Sequence, residues 1–228
     1  MTPHSLGVLM LDTRFPRVVG DIGNPATFAF PVRYIVVEGA SPQRVVLGGD
    51  RSLLVPFIDA ARRLADEGVA AITTSCGFLA LFQNEMQSAV GVPVWTSSLL
   101  DVAGVEAGLP AGRRVGIVTV DADSLGPMHL AAAGAPLDTP IEGLARDSSF
   151  RRTLLGNEAE LDAAAAREAT IEAARRLVHR YPEVATIVLE CTNMPPYADA
   201  VRAETGLPVH DITTLIAERF AALAKETA

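Results

Sequence analysis

The chain contains an internal repeat, which constrains its fold more than any other feature of the sequence. Two segments, AAITTSCGFLALFQNEMQSAVGVPVWTSSLL and ATIVLECTNMPPYADAVRAETGLPVHDITTL, each begin with an apolar strand that ends in a cysteine. A helical segment follows, and a Gly-x-Pro-Val sequence places its proline 17 residues after Cys76 and 17 residues after Cys191. The first strands also match, since GVLMLD at Gly7 resembles GIVTVD at Gly116. Such self-similarity predicts two lobes of similar structure.

Short apolar runs alternate along the whole chain with longer segments of helical period. This pattern is typical of parallel sheets covered by helices, so the predicted fold class is α/β. We expect two similar lobes with parallel, doubly wound sheets related by pseudo-twofold symmetry, and an active site in the cleft between them. The predicted first lobe comprises residues 1–98 and 209–228, and the predicted second lobe comprises residues 99–208.

The periodicity also predicts where the strands and helices lie. Strands are expected near Gly7–Leu11, Val32–Val37, Ala70–Thr74, Pro93–Thr96, Val115–Val120, Leu137–Leu144, Thr186–Glu190 and Pro208–Ile212. Helices are expected near Leu53–Leu64, Phe78–Val90, Asp123–Ala133, Asn157–Arg180, Tyr197–Glu204 and Thr214–Lys225.

The net charge of −8 at pH 7 argues against nucleic acid or a membrane surface as a partner, because both are bound through clustered positive charge. No apolar run approaches the roughly 20 residues of a membrane-spanning helix. The first residues, Met1 to Ser5, lack the basic region of a signal peptide. We therefore expect a cytoplasmic enzyme that acts on a small molecule and, like many compact enzymes, forms a homodimer.

Residue usage predicts neither a metal nor an organic cofactor. The four histidines form no pair at ligand spacing, and the two cysteines are 115 positions apart. The basic residues are 18 arginines and one lysine, Lys225, close to the C-terminus. A pyridoxal enzyme needs a buried lysine amine for its Schiff base, and a lysine in a fraying tail is poorly suited to that role.

Cys76 and Cys191 both fall at predicted strand ends, where open parallel sheets bind their ligands. If the two lobes face each other, the two thiols lie on opposite sides of one cleft. Inversion of a carbon centre needs a base on one face and an acid on the other, and a thiolate with a thiol can supply both. Backbone N–H groups at the strand-to-helix turns are expected to favour the thiolate and to hold a carboxylate.

The segments TTSCG (Thr73–Gly77) and LECTNMPP (Leu189–Pro196), with an aspartate after the first strand, resemble the aspartate/glutamate racemase superfamily. That group includes hydantoin racemases, maleate isomerases and arylmalonate decarboxylases. The resemblance covers nearly the whole chain and implies proton transfer without a cofactor, next to a carboxylate or carbonyl, with Cys76 and Cys191 as the two bases. It also implies that the substrate is bordered by Asp12, Ser75, Gly77, Thr119, Thr192 and Asn193.

The first hypothesis is thus a racemase or epimerase for a small amino acid or a hydantoin-like substrate. One alternative is a carbon–carbon lyase or cis–trans isomerase with a single nucleophilic cysteine. Another is a small-molecule-binding protein without activity, suggested by Asn193 at a position where amino-acid racemases of the group often have His or Glu.

The positions of three further features indicate their roles. The loop Thr13–Arg33 is a candidate lid, and Arg14, Arg17 and Arg33 within it could either clamp a carboxylate or lie at the surface. Glu190 precedes Cys191 in a strand, so its side chain is expected to point to the opposite face and to have a structural role.

Overall fold

The computed structural model describes residues 5–226. The start of the chain from Met1 to His4, on which the signal-peptide prediction rests, and residues 227–228 lie outside the described residues. Within the described part, the eight expected strands form two separate sheets. The predicted α/β class and its two lobes are therefore confirmed.

The two sheets share one topology. The first has the order β2-β1-β3-β4 and the second has the order β6-β5-β7-β8, with all pairs parallel. The equivalent order in each half is the structural counterpart of the sequence repeat. The strands are β1 (Leu6–Leu11), β2 (Val32–Val37), β3 (Ala71–Thr74), β4 (Val94–Trp95), β5 (Arg114–Thr119), β6 (Ile141–Gly143), β7 (Val184–Leu189) and β8 (Val209–His210).

Eight α-helices connect and cover these strands in the described residues. They are α1 (Leu54–Asp66), α2 (Gln83–Ala89), α3 (Val102–Ala107), α4 (Pro127–Ala133), α5 (Ser149–Gly156), α6 (Ala163–Arg180), α7 (Ala198–Thr205) and α8 (Ile212–Glu226). A 3-10 turn precedes the helix after each cysteine, at Gly77–Phe82 before α2 and at Pro195–Tyr197 before α7. None of the helices in this part of the chain is long and apolar enough to cross a membrane.

Both faces of β1 are buried, which explains its continuous apolar run. Leu9 and Leu11 belong to the large core that continues into the second lobe. Leu6, Val8 and Met10 point to the other face, where they pack with Ile212, Ile216 and Phe220 of α8. The last helix of the chain therefore covers the first sheet.

Several boundaries differ from the sequence prediction, and two of them have a clear physical cause. The return to the first lobe follows His210 and not residue 208, because Val209 and His210 pair with β7 in the second sheet. The predicted helix from Asn157 to Arg180 begins only at Ala163. Asn157 adopts a left-handed conformation (φ 51°) that ends α5, and the side chain of Asp162 then caps α6 by accepting from a backbone N–H of its first turn.

Candidate active site

Cys76 and Cys191 lie on the wall of one cleft at the carboxyl ends of the two sheets. Each follows the last residue of its strand by two positions, Cys76 after β3 and Cys191 after β7. The cleft has about 380 Å³ of space not occupied by atoms, including the part open to solvent, and its wall is mostly apolar. The duplicated architecture therefore brings the two thiols to one small site, although their chemical roles stay predictions.

Hydrogen bonds between the two cysteine turns connect the lobes. Thr192 Oγ1 donates to the carbonyl oxygen of Ser75 (2.7 Å), so the residue after Cys191 is bonded to the residue before Cys76. Ser75 Oγ in turn accepts from the backbone N–H of Leu11 at the end of β1 (2.8 Å). Because these bonds are buried, each thiol is carried by a turn whose position is set by the other lobe and by a central strand.

Asn193 links the second cysteine to the first-lobe loop. Its Oδ1 accepts a weak hydrogen bond from Cys191 Sγ (3.6 Å), and its Nδ2 donates to Asp21 Oδ2 (2.6 Å). Asp21 is 3% exposed and pairs with the guanidinium of Arg17 at 3.1 Å. Asp21 was not identified from the sequence, where its only signal was its place in the long loop rich in Gly and Pro.

The three loop arginines have different environments. Arg17 lines the cleft, donates to Thr13 Oγ1 (2.8 Å) and lies over the ring of Phe15 (4.6 Å from its Cζ to the centroid). Arg14 instead donates to the carbonyl oxygen of Asn157 in the second lobe, and Arg33 pairs with exposed Glu67. Arg17 is thus the loop arginine that could meet a bound carboxylate.

Four of the six residues predicted to border the substrate line the cleft: Ser75, Gly77, Thr192 and Asn193. Asp12 is exposed, and its carboxylate accepts from the N–H of Gly39 (3.2 Å) outside the cleft wall. Thr119 is fully buried and donates to Glu190 Oε2 (2.6 Å), so it lies behind the wall. Only the first four therefore lie on the cleft wall, and their contact with a substrate stays a prediction.

The prediction that Glu190 points away from the cleft is wrong. Its side chain is completely buried and lines the same cleft as the two cysteines. The alternation of side chains applies within a strand, whereas β7 ends at Leu189 and Glu190 belongs to the turn that follows. Gly77 provides the space, because a Cβ at that position would lie 2.3 Å from Glu190 Oε1. The signal in the sequence was this pair, a glycine after one cysteine and an acid before the other.

Burial outweighs the turn N–H groups in setting the charge of the thiols. It raises the pKa of Cys76 to about 12, and the charge of Glu190 adds to this, although the backbone N–H groups of Phe78 and Leu79 act in the opposite direction. Burial likewise raises the pKa of Cys191 well above its usual value, again with a contribution from Glu190. The turn N–H groups thus favour the thiolate as expected, but burial has the larger effect and favours the neutral thiol at both positions.

No group of three or more His, Cys, Asp or Glu side chains within residues 5–226 is arranged to hold a metal ion. The ionisable groups on the wall are those of proton transfer and anion binding: two thiols, one carboxyl and one guanidinium. Two parallel-sheet lobes with such a site between them define an α/β protein whose candidate active site lies between duplicated halves.

The family model described as Asp/Glu/Hydantoin racemase matches residues 98–220, and this chain belongs to that family. Its sequence relatives include a dimethylsulfoniopropionate lyase from Durusdinium sp. clade D, which is 33% identical over 216 residues and covers 91% of this chain and 71% of the relative. Dimethylsulfoniopropionate lyase 7 from Emiliania huxleyi is 34% identical over 230 residues, which are 96% of this chain and 67% of the relative.

Solved structures share the fold at lower sequence identity. A mutant of arylmalonate decarboxylase in its sulfate-associated form matches with a TM-score of 0.66 and 19% identity, over 98% of this chain and 94% of that chain. Glutamate racemase from Francisella tularensis, in complex with D-glutamate, matches with a TM-score of 0.58 and 14% identity, over 100% of this chain and 83% of that chain.

Proposed function

We propose that this chain is a lyase that needs no cofactor and cleaves dimethylsulfoniopropionate by removing the proton next to the carboxylate. The observation that carries the proposal is the joint presence of Cys76, Cys191 and Arg17 on one small apolar wall. The dimethylsulfoniopropionate lyases at 33% and 34% identity support the choice of substrate. Such a substrate joins a carboxylate to a sulfonium group on the β-carbon.

The reaction begins with a thiolate, and Cys76 is the better candidate for it. Two backbone N–H groups and the charge of Arg17 lower the pKa of Cys76 against the effect of burial. Cys191 receives one such N–H group, and the nearby Cys76 and Asp21 raise its pKa further. A bound sulfonium cation would also favour the thiolate, because it brings positive charge into a cleft that otherwise disfavours ionisation.

The thiolate of Cys76 takes the α-proton and becomes a thiol. The electron pair of the C–H bond forms the double bond between the α- and β-carbons, and the β-carbon–sulfur bond breaks. Dimethyl sulfide leaves with the electron pair of that bond, acrylate remains, and the thiol afterwards returns its proton to solvent. This reaction needs no oxidant, metal or organic cofactor.

The two ends of the substrate have suitable partners on the wall. Arg17 can bind the carboxylate, since its Nε is buried without a hydrogen-bond partner among the described residues. Phe78 supplies an aromatic ring, to which onium cations are attracted. The largely apolar wall excludes water, which strengthens both interactions.

Racemisation of a small amino acid or hydantoin remains a second candidate, because Cys191 supplies a second thiol for reprotonation on the other face. Both reactions start with the same proton abstraction. They diverge at the carbanion. When the β-carbon has a good leaving group, the carbanion expels it; otherwise the carbanion is reprotonated. The sulfonium group, which leaves as a neutral sulfide, therefore directs the intermediate to elimination.

The purified protein is tested with dimethylsulfoniopropionate, with dimethyl sulfide measured by gas chromatography and acrylate by liquid chromatography. We expect Cys76→Ala to reduce kcat by about 10²- to 10⁴-fold, the usual contribution of a general base, and Cys191→Ala to have a smaller effect. Amino acids and hydantoins incubated in deuterated water serve as the comparison. Deuterium at the α-carbon without any release of sulfide from dimethylsulfoniopropionate would overturn the lyase in favour of the racemase.

A further inference from the structure

Glu190 carries a buried carboxyl oxygen that no group within residues 5–226 bonds. One oxygen, Oε2, accepts a hydrogen bond from Thr119 Oγ1 at 2.6 Å. The other, Oε1, is buried and has no hydrogen-bond partner among the described residues. Because an unsatisfied buried carboxyl oxygen is costly, this oxygen is suited to form a hydrogen bond with a ligand bound in the cleft.

The position of Oε1 depends on a residue of the other lobe. A Cβ built on Gly77 would lie 2.3 Å from Oε1 and 2.5 Å from the carbonyl oxygen of Glu190. No other amino acid fits there without moving Glu190, and Gly77 directly follows Cys76. The bare backbone of the first cysteine turn therefore leaves room for this oxygen directly against Gly77, the residue after Cys76.

The surroundings of Glu190 favour its neutral form. The other titratable groups on the cleft wall are Arg17, Cys76 and Cys191. The guanidinium of Arg17 is already paired with Asp21, and the two thiols are uncharged. Burial raises the pKa of Glu190 to about 7, against the opposing effect of its hydrogen bond from Thr119. Because Oε2 accepts the hydrogen bond from Thr119, the proton of the neutral carboxyl group belongs on Oε1.

We propose that Glu190 is a catalytic residue that acts as a neutral carboxylic acid, donating a hydrogen bond from Oε1 to the substrate carboxylate. The proposal rests on the proposed function, in which that carboxylate gains negative charge as the α-proton leaves. A preorganised donor at the oxygen where charge develops lowers the barrier, and a carboxylic acid kept neutral by its apolar site can fill this role. A neutral Glu190 also places no negative charge near the thiolate of Cys76, so it does not destabilise that thiolate.

The first test needs no turnover. Alkylation of Cys76 by iodoacetamide is followed by mass spectrometry across pH, with and without propionate as a carboxylate probe, in the wild type and in Glu190→Gln. The amide keeps a donor but cannot ionise. We expect Cys76 to react faster in Glu190→Gln, and propionate protection in the wild type to weaken as pH rises through about 7 while protection in Glu190→Gln does not.

The second test uses turnover and a variant without a donor. We expect Glu190→Leu to lower kcat by on the order of 10²-fold, as for loss of one oxyanion donor, and Glu190→Gln to retain most of it. Glu142→Gln, which changes a buried glutamate on β6 outside the cleft, serves as the matched control. Circular dichroism and thermal unfolding establish that each variant is folded.

The two tests separate the inference from the lyase reaction. Identical alkylation and protection profiles in wild type and Glu190→Gln, or full activity in Glu190→Leu, would overturn the role of Glu190 whatever the substrate. Absence of dimethyl sulfide with the pH-dependent protection intact would overturn the choice of substrate and leave Glu190 as a carboxylate-binding acid.

Discussion

Three ionisable side chains, Cys76, Glu190 and Cys191, are buried together on the cleft wall, and burial disfavours the charged form of each. A site of this kind carries little net charge of its own. Charge enters with the substrate, so the base forms when a ligand that stabilises it is present. At the scale of the residue, this explains how two thiols of raised pKa can belong to an enzyme of proton transfer.

The raised pKa of Glu190 has a consequence for stability. The group binds its proton up to about pH 7 in the folded state, whereas an ordinary glutamate releases it near 4.5. The folded state therefore holds more protons between these values, and the free energy of unfolding falls as pH rises through that window. We expect the wild type to lose about 3 kcal/mol relative to Glu190→Gln across it, with no further change at higher pH.

Urea unfolding at several pH values between about 4.5 and 8 measures this difference. Glu38→Gln removes one negative charge from an exposed position and serves as the control, which should run parallel to the wild type. Parallel curves for Glu190→Gln and the wild type would mean that Glu190 ionises normally in the fold.

At the scale of the element, a glycine in the central strand of each lobe allows a helix to pack closely against that strand. Gly7 in β1 faces Leu64 of α1, and a Cβ there would lie 2.9 Å from Leu64 Cδ1. Gly116 in β5 faces Leu177 of α6, and a Cβ there would lie 2.8 Å from Leu177 Cδ2 and 3.0 Å from both γ-carbons of Val184. The repeated glycine is thus explained by close approach of the helix.

Replacement of either glycine by alanine overpacks this contact, at a cost of about 1–3 kcal/mol. We expect Gly116→Ala to destabilise more than Gly7→Ala, because Val184 is β-branched and cannot turn away as the end of a leucine can. Gly104→Ala, at an exposed position of α3 with open space, should instead stabilise the protein by a few tenths to about 1 kcal/mol. Thermal unfolding of the three variants measures the order, and an equal loss for both strand glycines would contradict it.

At the scale of the whole molecule, the loop Thr13–Arg33 of the first lobe is bonded to the second lobe beside the cleft. Arg14 donates its backbone N–H to Asn157 Oδ1 (2.7 Å) and its guanidinium to the Asn157 carbonyl oxygen (2.8 and 3.0 Å). Asn157 Nδ2 donates back to the carbonyl oxygen of Asp12 (3.2 Å). These bonds fix the loop that carries Arg17 to the cleft wall.

Asn157→Gly tests this connection, since glycine keeps the left-handed conformation and removes the side-chain hydrogen bonds. Loss of two hydrogen bonds worth about 1 kcal/mol each should speed amide hydrogen exchange in the loop by about 10-fold or more. Arg33→Ala, at the end of the same loop but paired within the first lobe, is the control and should leave exchange in residues 13–24 unchanged. Equal exchange in Asn157→Gly and the wild type would contradict the role of the contact.

Much of the architecture follows from local pattern. The repeat, the apolar runs and the helical period predict two lobes, eight strands and cysteines at equivalent strand ends, because these features depend on the periods of strand and helix alone. The helix expected from Asn157 to Arg180 begins later than predicted, and local residues decide where it begins. Its apolar period continues, but Asn157 and Asp162 end one helix and cap the next, and caps outweigh period at the ends of helices.

The composition of the cleft wall depends on contacts between residues distant in the chain. Glu190 lies on it because Gly77, more than 100 positions earlier, leaves room, whereas Asp12 lies outside and Thr119 behind it. Asp21 joins Asn193 across 172 positions. Side-chain direction in a turn is set by such tertiary contacts and has no period from which it could be read. Local pattern therefore decided the fold and the strand ends that carry the thiols, and only three-dimensional packing decided which charged groups share the cleft with them.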